Sequence, residues 1–389
     1  MTCVTHVITT LGTGGAEMML KRLIEAHQRK PDYRHTVIVL KDMGAVGQQL
    51  QKLGIQVQAM EMRSLLGFPR LLWQLIRRIR ATRPDIVQTW MYHADLLGGL
   101  AARCAGNRHV IWGVRCTAIP QPGLSATQIV VSLCSWLSRF VPSVIVCCAE
   151  SARMLHIQKG YDRTKMVVIS NGYDLRAFHR HPGLREQARA AFGFGEDDIV
   201  VGTVGRFDPL KDHSNFVHCA AVLASHVERV KFLMVGRNLV RGNQVLCAWI
   251  AESRLAQKFV LAGERSDIPG CLAAMDVFCL SSIAEGFPNV VCEAMAMKVP
   301  CVVTDVGDAA EIVGETGIVA PPRNPTALAA GLQTMLGMGA VERSKLGELA
   351  RRRIEERYSI ESISGQFETI YDQVTQKLPR PSSEIAVIS

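Results

Sequence analysis

Residues 276–298 read DVFCLSSIAEGFPNVVCEAMAMK, and the change of pattern inside that stretch decides the fold. The run 276–282 is short, apolar and followed by turn residues, which reads as a buried strand. A Gly286-Phe287-Pro288 turn follows. NVVCEAMAM then reads as a helix, with Pro288 where a first-turn proline is tolerated. A strand, a glycine turn and a helix in that order aim the free N–H groups of a helix start at whatever lies in front of the sheet. A phosphate suits that position.

Two glutamates, Glu285 and Glu293, bracket the turn. Glu293 is the only charge between Phe287 and Met297. A carboxylate buried among Val, Cys, Ala and Met is costly without a partner, so Glu293 faces a ligand or a cation. A helix with one narrow polar edge against water accounts for it equally well. Glu285 falls in the loop at the strand's carboxyl end, where open parallel sheets hold their ligands.

The stretch resembles the Glu-(x)7-Glu signature of the retaining family 4 glycosyltransferases, because Glu285-Gly286-Phe287-Pro288-Asn289 fills the gap as that family does. The resemblance implies a GT-B α/β fold: two doubly wound, Rossmann-like domains facing an interdomain cleft. It also implies retaining transfer from a nucleotide diphosphate sugar, with no metal and no cofactor beyond that co-substrate.

Composition is consistent with two domains: 389 residues suffice for two separate cores. Twelve cysteines occur without a C-x-x-C pair, and a strand follows Met1 directly. Both features lead us to expect a reduced, cytoplasmic chain without metal-ligand spacing. Charge is uneven. Residues 1–176 carry 22 Lys and Arg against 10 Asp and Glu, whereas residues 177–389 carry 22 against 25. The basic half therefore meets something anionic: lipid head groups, a phosphorylated acceptor or nucleic acid. Nucleic acid is disfavoured by only six tyrosines and five tryptophans and by the lack of any nucleic-acid motif.

Taken in order, 4–10 is an opening strand, followed by Gly14-Gly15-Ala16-Glu17 and a helix. That loop has neither dinucleotide nor Walker spacing. Its glycines allow an anion close to the backbone, although a tight turn explains them as well. HTVIVL (35–40) is a strand, and a short helix lies near 46–53. Between Arg63 and Arg83 stand six arginines and no acid, with Leu71, Leu72, Leu75, Ile76 and Ile79 at helical spacing. A crossover helix packing on its own sheet explains the apolar face; an anionic membrane surface suits the arginines and Trp73.

The strand 84–90 delivers His93 to a ligand-facing position, and 110–115 delivers Arg115, although a core histidine bonded to backbone and a solvated arginine account for them as well. Residues 124–149 hold one charge, Arg139, and with Pro142 it leaves pieces shorter than the ~20 residues of a spanning helix. They read as a buried helix (125–140) and a strand. KMVVISNGYD (165–174) is a strand ending in an Asn-Gly turn, and a linker covers 175–185. In the second half, 198–206 delivers Arg206, with Lys211 in the next loop. Two cations at such a mouth suit a diphosphate, although isolated residues of this kind are usually solvated. Strands follow at 231–236, 259–263 and 300–304, and helices at 342–378, with Ser359 as N-cap before Ile360.

Residue by residue, the resemblance implies the following. Glu285 takes the donor sugar's hydroxyls, Glu293 the ribose and His93 the sugar's far side. Arg206 and Lys211 neutralise the leaving diphosphate. Gly14, Gly15, Gly286, Phe287, Pro288 and Asn289 line the donor, and Arg115 meets an acceptor phosphate. Two departures stand out: Asp212 where the family commonly has glycine, and Gly236-Arg237-Asn238 where it often has Gly-acidic-Gly.

The expected division is 1–176 for acceptor binding, 177–360 for donor binding, 361–378 as a helix crossing back, and 379–389 as a disordered tail. The expected reaction joins a UDP-linked sugar to a lipid-diphosphate-linked or glycan acceptor in exopolysaccharide, O-antigen or capsule synthesis, at the inner face of the plasma membrane. Two alternatives are a nucleotide-sugar 2-epimerase of the same fold and an inactive membrane-docking partner.

Overall fold

The computed structural model describes residues 1–62, 68–115 and 126–375. The expectations for Arg63 and for the tail at 379–389 lie outside the described residues. Two compact units emerge, one of Met1–Gly172 together with the chain from Ile360 onward, the other of Tyr173–Ser359.

In the first unit the elements run β1 (Thr2–Ile8), α1 (Gly15–Gln28), β2 (Tyr33–Val39), α2 (Gly44–Lys52), β3 (Gln56–Ala59), α3 (Phe68–Thr82), β4 (Ile86–Trp90), α4 (Tyr92–Cys104), β5 (Val110–Val114), α5 (Ala126–Leu137), β6 (Val144–Cys147), α6 (Glu150–Gln158) and β7 (Met166–Val168). The second unit follows with α7 (Leu184–Phe192), β8 (Ile199–Val204), α8 (His213–Ala224), β9 (Val230–Val235), α9 (Gln244–Glu252), β10 (Phe259–Gly263), α10 (Ile268–Ala273), β11 (Val277–Leu280), α11 (Asn289–Ala296), β12 (Cys301–Thr304), α12 (Ala309–Val313), β13 (Gly317–Ala320), α13 (Pro325–Gly337) and α14 (Gly339–Tyr358). The last helix, α15 (Ile360–Val374), belongs to the first unit.

Both sheets are parallel, ordered β3-β2-β1-β4-β5-β6-β7 and β10-β9-β8-β11-β12-β13. Strands buried on both faces need Val, Ile and Leu at nearly every position, which is the composition of VIVC, IVVGTV and CVVT. In each sheet the chain grows outward from one strand in one direction and then in the other. The reversal falls between β1 and β4 in the first unit and between β8 and β11 in the second. Loops leaving the carboxyl ends of such a strand pair splay apart, and ligands bind in the crevice they leave.

The first core joins Val4, Ile8, Leu20, Ile24 and Trp90 to Phe367, Ile370 and Tyr371 of α15, so α15 is a structural part of that unit. The second gathers Phe216, Phe232, Phe259, Val277 and Met335.

Several boundaries differ from the sequence reading. The opening strand spans Thr2–Ile8. The strand expected over 165–174 stops at Val168; Ile169 N still donates to Cys147 O at 2.9 Å, and at Asn171 the side chain instead accepts from Arg115 Nη1 at 3.1 Å. Pro288 is the N-cap of α11, one position before the helix, not within its first turn. The division lies at 172/173 because Tyr173 already bonds within the second unit, its N–H to Tyr358 O (2.9 Å) and its hydroxyl to Asn289 Oδ1 (2.5 Å). The helix expected to be buried over 125–140 is α5, and its outer side is exposed at Ile129, Leu133 and Trp136, with Phe140 beyond its end.

Candidate functional site

The second unit's site is built on the loops after β8 and β11. From β8 come Arg206 and a one-turn 3-10 helix, Pro209–Lys211, whose N-cap Asp208 accepts from Leu210 N at 2.9 Å. Asp208 also holds Arg206, whose Nε donates to its Oδ2 at 2.9 Å. Asp212 then adopts a left-handed conformation, φ 47° and ψ 55°, and its side chain accepts from Asn215 N to cap α8. Glycine suits that backbone without strain, whereas aspartate adds a cap worth about 1 kcal/mol. The departure from the family pattern at this position therefore has a local physical reason.

The loop after β11 is bound to the first. Lys211 Nζ donates to Glu285 Oε1 at 2.6 Å, and Ser282 Oγ donates to the same oxygen at 2.6 Å. Ser281 Oγ donates to Lys211 O (3.0 Å), and Ile283 N to Leu210 O (2.9 Å). The Lys211–Glu285 pair is largely withdrawn from water, with side chains 21% and 11% exposed. Arg206, at 56%, remains open to solvent. Two ion pairs, Arg206–Asp208 and Lys211–Glu285, thus sit at the reversal of the sheet.

α11 begins at Asn289 and carries Glu293 one turn in, half-buried, while Val291, Cys292, Ala294 and Met295 face the core. Gly307, at φ 56°, supports the loop from behind: Asp308 N donates to Gly286 O at 3.0 Å. A Cβ on Gly307 would run into the carbonyl oxygens of Glu285 and Gly286. Gly307→Ala should therefore push the 285–288 loop out of place, lowering the melting temperature and weakening nucleotide binding together; an unchanged nucleotide response in thermal shift would refute it.

On the other departure, Gly236 adopts φ 148° and donates from its N to Gly263 O at 2.7 Å, and Phe207 N donates to Arg237 O at 2.8 Å. Backbone contacts alone tie this loop to the neighbour of Arg206.

The first unit has its own set at its own reversal. Gly14 is the N-cap of α1, and a Cβ there would meet the carboxylate of Glu17. Glu17 is buried and accepts from Thr10 Oγ1 at 3.0 Å, bracing the loop that carries Gly14 and Gly15. After β4, Met91 turns the chain at φ 73°. His93, half-buried in the first turn of α4, lines a cavity of about 200 Å³ with Leu96, Leu97, Ala126, Ile129, Val130 and Leu133. Burial, and then the charge of Lys41, holds its imidazole below the usual range, so it is neutral at physiological pH. A neutral ring has one donor and one acceptor nitrogen.

Arg115 points inward. Its guanidinium lies over Trp90 (4.9 Å) and Phe367 (5.8 Å), and Nη1 bonds Asn171 and the carbonyl of Ile169. Nε and Nη2 are buried and lack hydrogen-bond partners among the described residues. Sequence reasoning missed Asp95, which accepts from Thr89 Oγ1 (2.5 Å) and Gly113 N (3.2 Å) and so locks β4, α4 and β5 behind His93. Burial pushes its carboxyl up to about 8, against its hydrogen bonds and the charge of Arg115. One acid in the small-residue helix LLGGLAA was the available signal.

Two family models match the chain in tandem: "Glycosyltransferase Family 4" over residues 13–177 and "Glycosyl transferases group 1" over 198–338. The chain belongs to these glycosyltransferases. The matched segments hold every candidate residue named above, from Gly14 to Glu293. Among relatives of this glycosyltransferase, the UDP-Gal:alpha-D-GlcNAc-diphosphoundecaprenol alpha-1,3-galactosyltransferase of Escherichia coli is 28% identical over 62% of the chain, and the match spans 63% of that enzyme's length. The putative glycosyltransferase EpsF of Bacillus subtilis is 24% identical over 78% of the chain and 79% of its own. In three dimensions, Anabaena HepE in complex with UDP superposes with a TM-score of 0.82 at 22% identity, over 95% of this chain and 99% of that one. The architecture is the GT-B fold.

Proposed function

We propose that this glycosyltransferase moves a hexose from UDP to a lipid-diphosphate-linked or glycan acceptor in surface polysaccharide synthesis, with retention at the anomeric carbon and without a metal. The observation that carries the reading is the cluster of Glu285, Lys211 and Arg206 at the β8/β11 reversal, beside the start of α11. Breaking the anomeric bond builds negative charge on the diphosphate and positive charge on the sugar ring. Fixed cations and helix N–H groups stabilise charge best where it develops. Lys211 and Arg206 supply the cations, and the amides around Gly286, Phe287 and Asn289 supply the dipoles.

Glu285, fixed by Lys211 and Ser282, takes the sugar's hydroxyls. Glu293 takes the ribose and His93 meets the sugar with an uncharged ring, whereas Arg115, turned inward with Nε and Nη2 buried, is left out of the acceptor site. The diphosphate itself accepts the acceptor's proton, so no carboxylate has to attack. UDP is favoured because HepE has been crystallised with UDP and with UDP-glucose. The lipid-linked acceptor is favoured by the named substrate of the E. coli relative and by the basic first half of this chain. An anionic inner membrane surface is then the natural place of work.

Thermal shift against UDP, GDP and ADP tests the donor side. UDP at ~100 times its dissociation constant should add about 2.7 kcal/mol of stability. Glu293→Ala should lose most of that increment, read against its own ligand-free melting temperature. No response to any nucleotide would remove the reading, and free epimerised sugar formed without acceptor would replace it.

A further inference from the structure

We propose that the outer faces of α3 and α5 form one membrane-docking surface that inserts aromatic side chains into an anionic bilayer. This deepens the acceptor reading, on which its purpose rests, and its own observations are independent of it.

α4 packs between α3 and α5, so the two outer helices flank one layer of the first unit. α5 turns Val130, Val131 and Cys134 inward. Its other side exposes Ile129 (53%), Leu133 (44%) and Trp136 (62%), and Phe140 (62%) continues the same stripe at helical spacing. Trp136 and Phe140 pack edge to face with centroids 5.8 Å apart. Their base is rigid. Lys165 Nζ bonds the carbonyl oxygens of Ser138, Arg139 and Pro142, and Arg103 bonds those of Phe140 and Val141. On α3, Trp73 is 55% exposed with the Arg77 guanidinium 4.7 Å from its ring.

Charge selects the occupant. Between Met62 and Ala149 the chain has ten arginines and two acids, Asp85 and Asp95. Asp95 is buried, and Asp85 accepts from Cys3 N before the start of β4. Neither α3 nor α5 carries a carboxylate, while Arg70, Arg77, Arg80 and Arg139 are exposed. A second copy of this face would set arginine against arginine. An anionic bilayer answers both features: head groups pair with the arginines, and the aromatic rings sit at the boundary between head groups and chains. Exposed apolar stripes of this kind rarely serve no contact.

The test is co-sedimentation of the full chain with vesicles of phosphatidylcholine alone or mixed with phosphatidylglycerol, at low and high salt and without nucleotide. Binding should require phosphatidylglycerol and fall with salt. Trp136→Glu/Phe140→Glu should weaken it by about tenfold or more, and Arg70→Ser/Arg77→Ser should weaken it and flatten its salt dependence. Both pairs are on the surface, so their melting temperatures and UDP response should match wild type. That comparison separates failure of docking from failure of the donor reading. No sedimentation with either vesicle overturns the proposal, as does undiminished binding of the Trp136/Phe140 variant. Self-association without vesicles that Trp136→Glu abolishes would assign the face to a second copy instead.

Discussion

Lys211→Met is expected to lower kcat by about 100- to 1000-fold, the range observed when one preorganised donor to a developing anion is removed. The nucleotide should still bind, because Glu293 and the α11 loop are untouched. A fall in stability accompanies the loss for a separate reason. Lys211 and Glu285 are bound at 2.6 Å and mostly shielded from water, so methionine leaves a carboxylate in a poorly hydrated place with Ser282 as its remaining donor among the described residues. Stranding one member of a buried pair costs about 3–5 kcal/mol, less here because both side chains retain some exposure. Glu285→Gln in the same chain should restore much of the stability and none of the turnover. The contrast separates catalysis from folding: unfolding midpoints recover when the unpaired charge is removed, whereas kcat does not. Turnover within about threefold of wild type in Lys211→Met would show that the lysine does not face the leaving diphosphate.

That pair also marks the limit of what the sequence made legible. The 276–298 stretch showed its strand, turn and helix because its pattern changes within a few residues and because glycine and proline mark the change. Nothing local joins Lys211 to Glu285. They are 74 positions apart, and they meet because β8 and β11 are neighbours at the sheet's reversal. Strand order is a non-local property, so the pairing came from structure and the roles from resemblance. Arg115 shows the same gap: as a strand-end cation it reads as a ligand for solvent or phosphate, yet its stacking partner Phe367 lies on α15. β3 escaped notice because QVQA is a short, half-polar edge strand. α5 misled in the opposite direction. With one charge in 124–149 and none inside Ala126–Leu137, no charged residue marked which side faced out, and the helix's own period had to separate Cys134 inside from Trp136 outside.

Acid should weaken the first unit through three histidines outside the candidate site. Trp90 Nε1, which can only donate, bonds His6 Nδ1 at 3.2 Å. His6 Nε2 must then carry the proton that meets His35 Nδ1 at 2.9 Å, and His35 Nε2 the one that meets His27 Nδ1 at 3.1 Å. His27 Nε2 ends the row 3.3 Å from Glu368 Oε1 on α15. Every ring is neutral in this arrangement, and a further proton would set two donors face to face. Burial is the first cause that pushes His6 well below its ordinary 6.5, His35 to about 3 and His27 to about 4, where Glu368 pulls upward and Lys30 downward. The sign follows directly. Above pH 6.5 folded and unfolded chains both hold these rings neutral, and their contribution to stability is level. Below it the unfolded chain takes up protons that the folded chain refuses. Each such histidine then costs about 1.4 kcal/mol per pH unit until its folded value is reached. The melting temperature should therefore fall from about pH 6.5 toward pH 4, because the three rings outweigh Asp95, whose raised value of about 8 opposes one of them. His35→Gln should start from a lower melting temperature and show a shallower acid slope, because one proton acceptor of the unfolded chain is gone. A wild-type melting temperature that stays level down to pH 5 would mean that the row accepts protons while folded, and the directional chain from Trp90 to Glu368 would be wrong.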